Sequence, residues 1–253
     1  MSLDHCAEQL REHDPERFGI CLLAPAGACP RLLTLYALNL ELARTPLAST
    51  EPLIAEMRVQ WWIERLEAIA EGQVASHEIL TPLAEAWGPR AAAFAVLAEG
   101  RRRDSAREPH DGPGAVAAYV RETAVPLVEF AAEALDGPLA ATPAVAAQAE
   151  GLGLANWLAA LPALQGLGLG LWDPSAEALS QIARDARGKL TEARDLRRDV
   201  PRALAPVLFP GAGVKLVLDA APKGLEALAA AQPSEFRKRL ALGAFALTHR
   251  WWI

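Results

Sequence analysis

The sequence predicts an all-α fold, and three observations predict it. Hydrophobic residues make up 52% of the chain, whereas aromatic residues make up 6%. Most of that apolar share is alanine and leucine, which favour helix, where strands favour β-branched and aromatic residues. The 19 prolines and 18 glycines then punctuate the chain, leaving about ten helical stretches. At 253 residues the chain is long enough to bury a sizeable core. It shows no internal repeat and no linker long enough to separate domains, so residues 1–253 are expected to form a single helical domain.

Taken in order, a short helix is expected over 3–12, ending near Asp14-Pro15, because the residue before a proline is pushed out of helical geometry. A second short piece spans 18–23. The loop from Ala24 to Pro30, with its proline and glycine, separates it from a helix over 30–45. Ser49 or Thr50 should cap the next helix, with Glu51 in its first turn and Pro52 close behind. That helix carries two apolar stripes, Val59, Trp62, Leu66 and Ile69 on one and Leu53, Met57 and Trp61 on the other. So wide an apolar surface predicts a central place in the bundle. Further helices are expected over 78–86, 89–107, 114–135, 143–161, 174–200, 213–230 and 233–251.

Charge and motifs exclude several functions. The net charge of −6 gives no basic field for nucleic acid. The run Arg101-Arg102-Arg103 is followed by Asp104 and Glu108 and reads as a solvated helix end. The three cysteines, Cys6, Cys21 and Cys29, are odd in number and form no CxxC pair, which points to a reducing compartment and buried or incidental thiols. The N-terminal residues are too acidic for a signal or transit peptide, so a cytoplasmic location is expected. Residues 151–172 carry no charge and are long enough to span a bilayer. Pro162, Gly166, Gly168 and Gly170 should break such a span, and Asn156 and Gln165 are polar within it, so no transmembrane helix is expected. Peripheral membrane contact stays open. His249-Arg250-Trp251-Trp252 places large aromatics together, which points to docking on the bundle or on a partner.

The sequence contains no P-loop, GxGxxG, GxSxG or HExxH. The histidines are scattered at His5, His13, His77, His110 and His249, and each reads as a surface or satisfied residue. His77-Glu78 reads as a helix opening. Asp195 and Asp199 have a spacing that shares one helix face, but Arg194, Arg197 and Arg198 crowd them, giving a self-neutralised helix end. Glu129 and Glu133 have the same spacing and read as ordinary helix surface.

The most informative stretch is 35–69, LYALNLELARTPLASTEPLIAEMRVQWWIERLEAI, which reads as two helices joined by a short polar turn. It resembles the opening of a squalene/phytoene synthase-type domain, and weaker matches run on towards the C-terminus. That resemblance implies an isoprenoid-synthase-like helical bundle. In the active synthases the first motif runs Tyr-Ala-Phe-Cys-Arg, then Asp-Asp and a further Asp, which hold magnesium and diphosphate. Here Tyr36 and Ala37 match, the arginine becomes Leu40, and the aspartates fall at Ala43, Arg44 and Leu47. The second motif keeps Asn156 and replaces its four charged positions by Ala159, Ala160, Ala163 and Leu164. The tyrosine-bearing helix between them keeps Tyr119 and Ala124 and turns its small glycines into Val125 and Val128, with Pro126 between.

The resemblance therefore implies the family's fold without its chemistry. No catalytic residue, no metal ligand and no cofactor are expected, and magnesium enters only if the chain is an active synthase. The residues that resemblance and polarity mark for ligand binding are Tyr36, Asn39, Glu41, Arg44, Arg58, Gln60, Trp61, Tyr119 and Asn156. Asn39, Glu41, Arg58 and Gln60 either form a buried hydrogen-bond network that fixes the register of two helices, or line a pocket. Arg58, Trp61, Trp62 and Arg65 share one face, where arginine on indole is a favourable stack. Similar NLELA and MRxQWW residues mark a branch of the family that includes a mitochondrial assembly factor for respiratory complex I and bacterial relatives. What that implies is a non-catalytic assembly or accessory factor for a respiratory or membrane complex. Two alternatives remain: a protein that binds an isoprenoid or other lipid, and a prenyl-diphosphate transferase with an atypical site.

Overall fold

A computed structural model describes residues 3–253. The described residues form helices and turns, with one isolated bridge, His110 to Leu171, and no strand. The chain divides into two compact units, Met1–Ala106 and Arg107–Ile253.

The first unit holds α1 (Leu3–His13), α2 (Pro15–Leu23), α3 (Cys29–Arg44), α4 (Pro52–Glu67), α5 (Leu80–Trp87) and α6 (Ala95–Glu99). Asp14 starts α2 by accepting the Arg17 amide at 3.1 Å, with Pro15 in the first turn, where its missing N–H costs nothing. The central element is α3, buried without interruption from Leu32 to Asn39 and again at Leu42, with α1, α2 and α5 packed on it. At its start the Trp87 indole of α5 donates to the Arg31 carbonyl at 3.1 Å.

This reverses the expected centre. α4 buries only one of its two apolar stripes, Ala55, Val59, Trp62, Ile63 and Leu66, and packs it on α6. The other stripe, Leu53, Ile54, Met57 and Trp61, faces solvent. Two apolar stripes do not require two buried faces. The α4 cap also differs from expectation: Glu51 is the capping residue, and Ser49 accepts the Glu51 amide at 3.1 Å. The helix expected over 89–107 is replaced by 3-10 turns at Gly88–Phe94 and Arg102–Ala106 flanking the short α6, after Gly88 turns the chain at φ +57°.

Cys6 and Cys21 are fully buried and Cys29 partly so, all as free thiols, as the sequence suggests. Desolvation pushes the Cys6 thiol up to about 11 and the other two above their ordinary value.

The second unit holds α7 (Pro113–Thr123), α8 (Val125–Ala134), α9 (Thr142–Gly166), α10 (Ala176–Asp195), α11 (Val214–Ala220), α12 (Leu225–Ala230) and α13 (Glu235–Thr248). The helix expected over 114–135 breaks at Ala124, because Pro126 has no N–H to continue the hydrogen-bond ladder. Pro162 does not break α9, which runs 25 residues through it. No helix among the described residues is long and apolar enough to cross a membrane.

α9 is the axis of this unit, contacted by α7, α8, α10, α11 and α12. Glycine makes that crowding achievable. A Cβ at Gly151 would lie 2.8 Å from Leu190 Cγ on α10, and one at Gly153 would lie 2.5 Å from Val120 Cγ1 and 2.8 Å from Ala124 Cβ. Gln148, fully buried on α9, donates its amide to the carbonyls of Leu208 at 2.9 Å and Trp251 at 3.1 Å. Trp251 is thereby buried, so the aromatic pair after α13 docks on its own unit.

Gly153→Ala gains about 1 kcal/mol of helix propensity. Its methyl must nevertheless displace a stiff valine and an alanine whose Cβ cannot rotate away. A net loss of about 1–3 kcal/mol is expected in urea unfolding. A more stable variant would contradict the close approach of α7 and α9.

Candidate functional site

Four of the residues marked by the sequence lie on α3. Tyr36 is buried beneath the Arg17 guanidinium, 5.3 Å from the ring centroid, and Arg17 is itself held by Asp14 at 3.0 Å. Desolvation raises the Tyr36 phenol well above its ordinary value, and Arg17 pulls weakly the other way. The phenol is thus neutral and packed. Asn39 is buried, yet its side-chain amide forms no hydrogen bond among the described residues. Glu41 is half-buried and Arg44 is exposed at the helix end. The positions where the resemblance places acids are half-buried Ala43, exposed Arg44 and half-buried Leu47.

On α4 the marked residues separate. Arg58 is exposed, Gln60 half-buried, and Trp61 turns to the solvent side. Gln60 donates to Glu64 at 3.0 Å and accepts from Arg102 at 2.8 Å. It makes no bond to Asn39, Glu41 or Arg58, so the network expected among those four does not form. Arg102 instead ties α4 to the end of α6, bonding both Glu99 oxygens at 2.8 and 2.9 Å and reaching Glu56 at 3.2 Å. No local pattern signals this role. Arg102 sits in a run that looks like a solvated end, and Glu56 and Gln60 lie more than forty residues away.

Nor do the arginines of α4 stack on the indoles. The rings that meet are Trp61 with Trp62, edge-on at 5.1 Å, and His77 with both, at 5.8 and 5.1 Å. His77 also opens α5 as expected, its Nδ1 accepting the Ile79 amide at 3.1 Å.

In the second unit Tyr119 is buried on α7 and Asn156 is exposed on α9, so burial separates these two. Tyr119 lies edge-on to His110 at 5.1 Å, and His110 meets Trp157 at 5.6 Å. His110 is 2% exposed, and its backbone is clamped by bonds to Gly170 at 2.7 Å and from Trp172 at 3.1 Å. The remaining second-motif positions, Ala159, Ala160, Ala163 and Leu164, offer no charge on the same helix. The one acid buried in α9, Glu150, is shared by Arg121 of α7 at 2.9 Å and Lys189 of α10 at 3.4 Å. A lone acid in an otherwise apolar helix was the available signal for that pairing.

Magnesium needs several oxygen ligands in an octahedral arrangement. Among the described residues no group of three or more His, Cys, Asp or Glu is placed to hold a metal ion. The residues at the motif positions do not fit the ion. The acid pairs noted in the sequence do not supply it: Asp195 lies 3.6 Å from Arg194 Nε, and burial raises the Glu129 carboxyl above its ordinary value, which disfavours the charged form.

A family model described as squalene/phytoene synthase matches residues 10–168. No curated protein matches the sequence. Among solved structures, a dehydrosqualene synthase in complex with ligand superimposes with a TM-score of 0.72 at 13% identity, covering 96% of this chain and 94% of that chain. The squalene synthase HpnC from Alicyclobacillus acidocaldarius gives a TM-score of 0.68 at 17% identity, covering 90% of this chain and 92% of its own. At such identities the likeness carries the fold, which is the all-α isoprenoid-synthase-like one.

Replacing Arg102 by methionine is expected to lower stability by about 1 kcal/mol near neutral pH, the upper end for a partly exposed ion pair. Its hydrogen bonds hold the Glu99 carboxyl below the ordinary range. That contribution is present above the ordinary carboxylate pKa and lost as pH falls through the depressed value. Urea titrations of R102M and the parent protein should therefore converge in acid; an undiminished gap there would contradict the network.

Proposed function

Because the chain belongs to the squalene/phytoene synthase family, we propose that it is a non-catalytic member, acting as an assembly or accessory factor for a respiratory or membrane complex. The observation that carries this is the replacement of the first-motif acids by Ala43, Arg44 and Leu47. Ionising an allylic diphosphate places negative charge on the leaving group, and metal ions held by carboxylates take it up. Losing one such stabilising group costs about 3 kcal/mol of transition-state stabilisation. Here the whole set is absent, and Arg44 carries the opposite sign. Arg44 can meet a phosphate but cannot recruit a cation.

A partner-binding role has positive support on α4. Its outward stripe, Leu53, Ile54, Met57 and Trp61, leaves Met57 64% exposed. Arg58 and Arg65 border it on one side and Glu56 on the other, while Glu64 falls in line with Leu53 and Met57. An apolar centre with a rim of both signs matches a protein partner more closely than a surface of one charge.

The test is recovery of partners on the tagged protein from its native cell. Subunits of a membrane complex should co-purify with the parent chain and fall at least about tenfold with Met57→Glu, a loss of the size expected for an interface anchor. Equal recovery with both, or recovery of no such subunit with the parent, would refute the role.

A further inference from the structure

α13 presents a second apolar stripe, of a different kind. At 3.6 residues per turn, Phe236, Leu240, Gly243 and Leu247 fall on one line along the helix. Phe236 is 76% exposed, Leu240 61% and Leu247 83%. The space beside them is open, since a Cβ at Gly243 would meet nothing within 4 Å. The opposite side is anchored: Phe245 is buried with its ring 4.8 Å from Phe209. The stripe is therefore a fixed, outward-facing surface of a packed helix.

Its border carries one sign of charge. Arg237 flanks the stripe on one side and Arg239 on the other, both exposed. The segment from Glu235 to Arg250 has four cations, Arg237, Lys238, Arg239 and Arg250, against one anion. That anion, Glu235, lies 2.7 Å from Lys238. A local excess of positive charge thus sits in a chain whose net charge is −6. The contrast with α4 is direct, because the exposed charged side chains of α13 that flank the stripe along its length are arginines, and its one acid is held by Lys238.

We infer that the outer face of α13 docks on an anionic lipid bilayer, lying in the plane of the interface. Phe236, Leu240 and Leu247 enter the boundary between headgroups and acyl chains, while Arg237 and Arg239 extend to the phosphates on either side. At 14 residues the helix is too short to span, so it lies on the surface. A basic border with uncovered apolar residues between is what binding to acidic lipid requires. This inference stands on α13 alone and does not depend on the accessory role proposed above.

The experiment is sedimentation of the purified full chain with vesicles of phosphatidylcholine, with and without about one third phosphatidylglycerol. The anionic vesicles should bind at least about tenfold more tightly, and roughly 0.5 M salt should remove most of that gain. Arg237→Glu with Arg239→Glu should abolish the preference for acidic lipid, and Leu240→Glu with Leu247→Glu should lower binding to both vesicles. Circular dichroism should match the parent for both variants, since all four side chains are exposed. Binding indifferent to lipid charge, or unchanged in both folded variants, would overturn the inference. So would a dimer in sedimentation equilibrium that the leucine variant dissolves, because the stripe would then be covered by a second copy.

Discussion

A buried helix carries polar groups cheaply only where they have partners at hand; α3 is such a helix over its central turns and meets that condition at most of its polar groups, Asn39 excepted. The way it meets that condition shapes the first unit. The Thr34 hydroxyl turns back to the carbonyls of Pro30 and Arg31, at 2.9 and 3.1 Å. The Tyr36 ring takes the Arg17 guanidinium from α2, and the Arg31 carbonyl takes the Trp87 indole from α5. The helices around α3 are thus placed by its few polar groups as well as by leucine packing. Where burial ends, an active synthase would place its acids; this chain has Ala43 and Arg44 instead.

The same rule operates less completely on α9 in the second unit. Its polar residues are few: Gln148 donates to Leu208 and Trp251, and Glu150 pairs with Arg121 and Lys189. Gln148 Oε1 and Trp157 Nε1, by contrast, are buried without a hydrogen-bond partner among the described residues. Lys189 is raised above its ordinary value chiefly by its bond to Glu192, with Glu150 adding to it. Glu150 is therefore bound up in joining α7, α9 and α10, and the residues where the resemblance places charge are alanine and leucine. Each unit has kept the charges that hold helices together, and neither marked helix carries an acid at the motif positions.

Much of the fold was legible from composition and punctuation. The alanine and leucine bias gave the fold class, and 35–69 gave the family. The bounds of α3 were read to within a residue, because Pro30 and the turn after Arg44 are local signals. The centre of the first unit was not legible. Periodicity in α4 counts apolar residues without saying which stripe is buried, and the answer lies in contacts with α6. Pro162 misled because neighbouring helices on α9 outweigh one lost hydrogen bond. The site was read by analogy of position, which marked Tyr36 and Tyr119, both buried, but could not foresee that Arg102 and His110 each join segments distant in sequence.

The central claim is that the family's fold has been kept here without its prenyl-coupling chemistry. It is tested most directly by incubating the purified chain with magnesium and either farnesyl or geranylgeranyl diphosphate, then measuring hydrocarbon product and released diphosphate. Neither squalene, dehydrosqualene nor phytoene should form, and diphosphate release should stay at the level of the protein-free control. Sustained turnover that depends on magnesium would contradict the claim and show that other groups in the chain do the work of the missing acids.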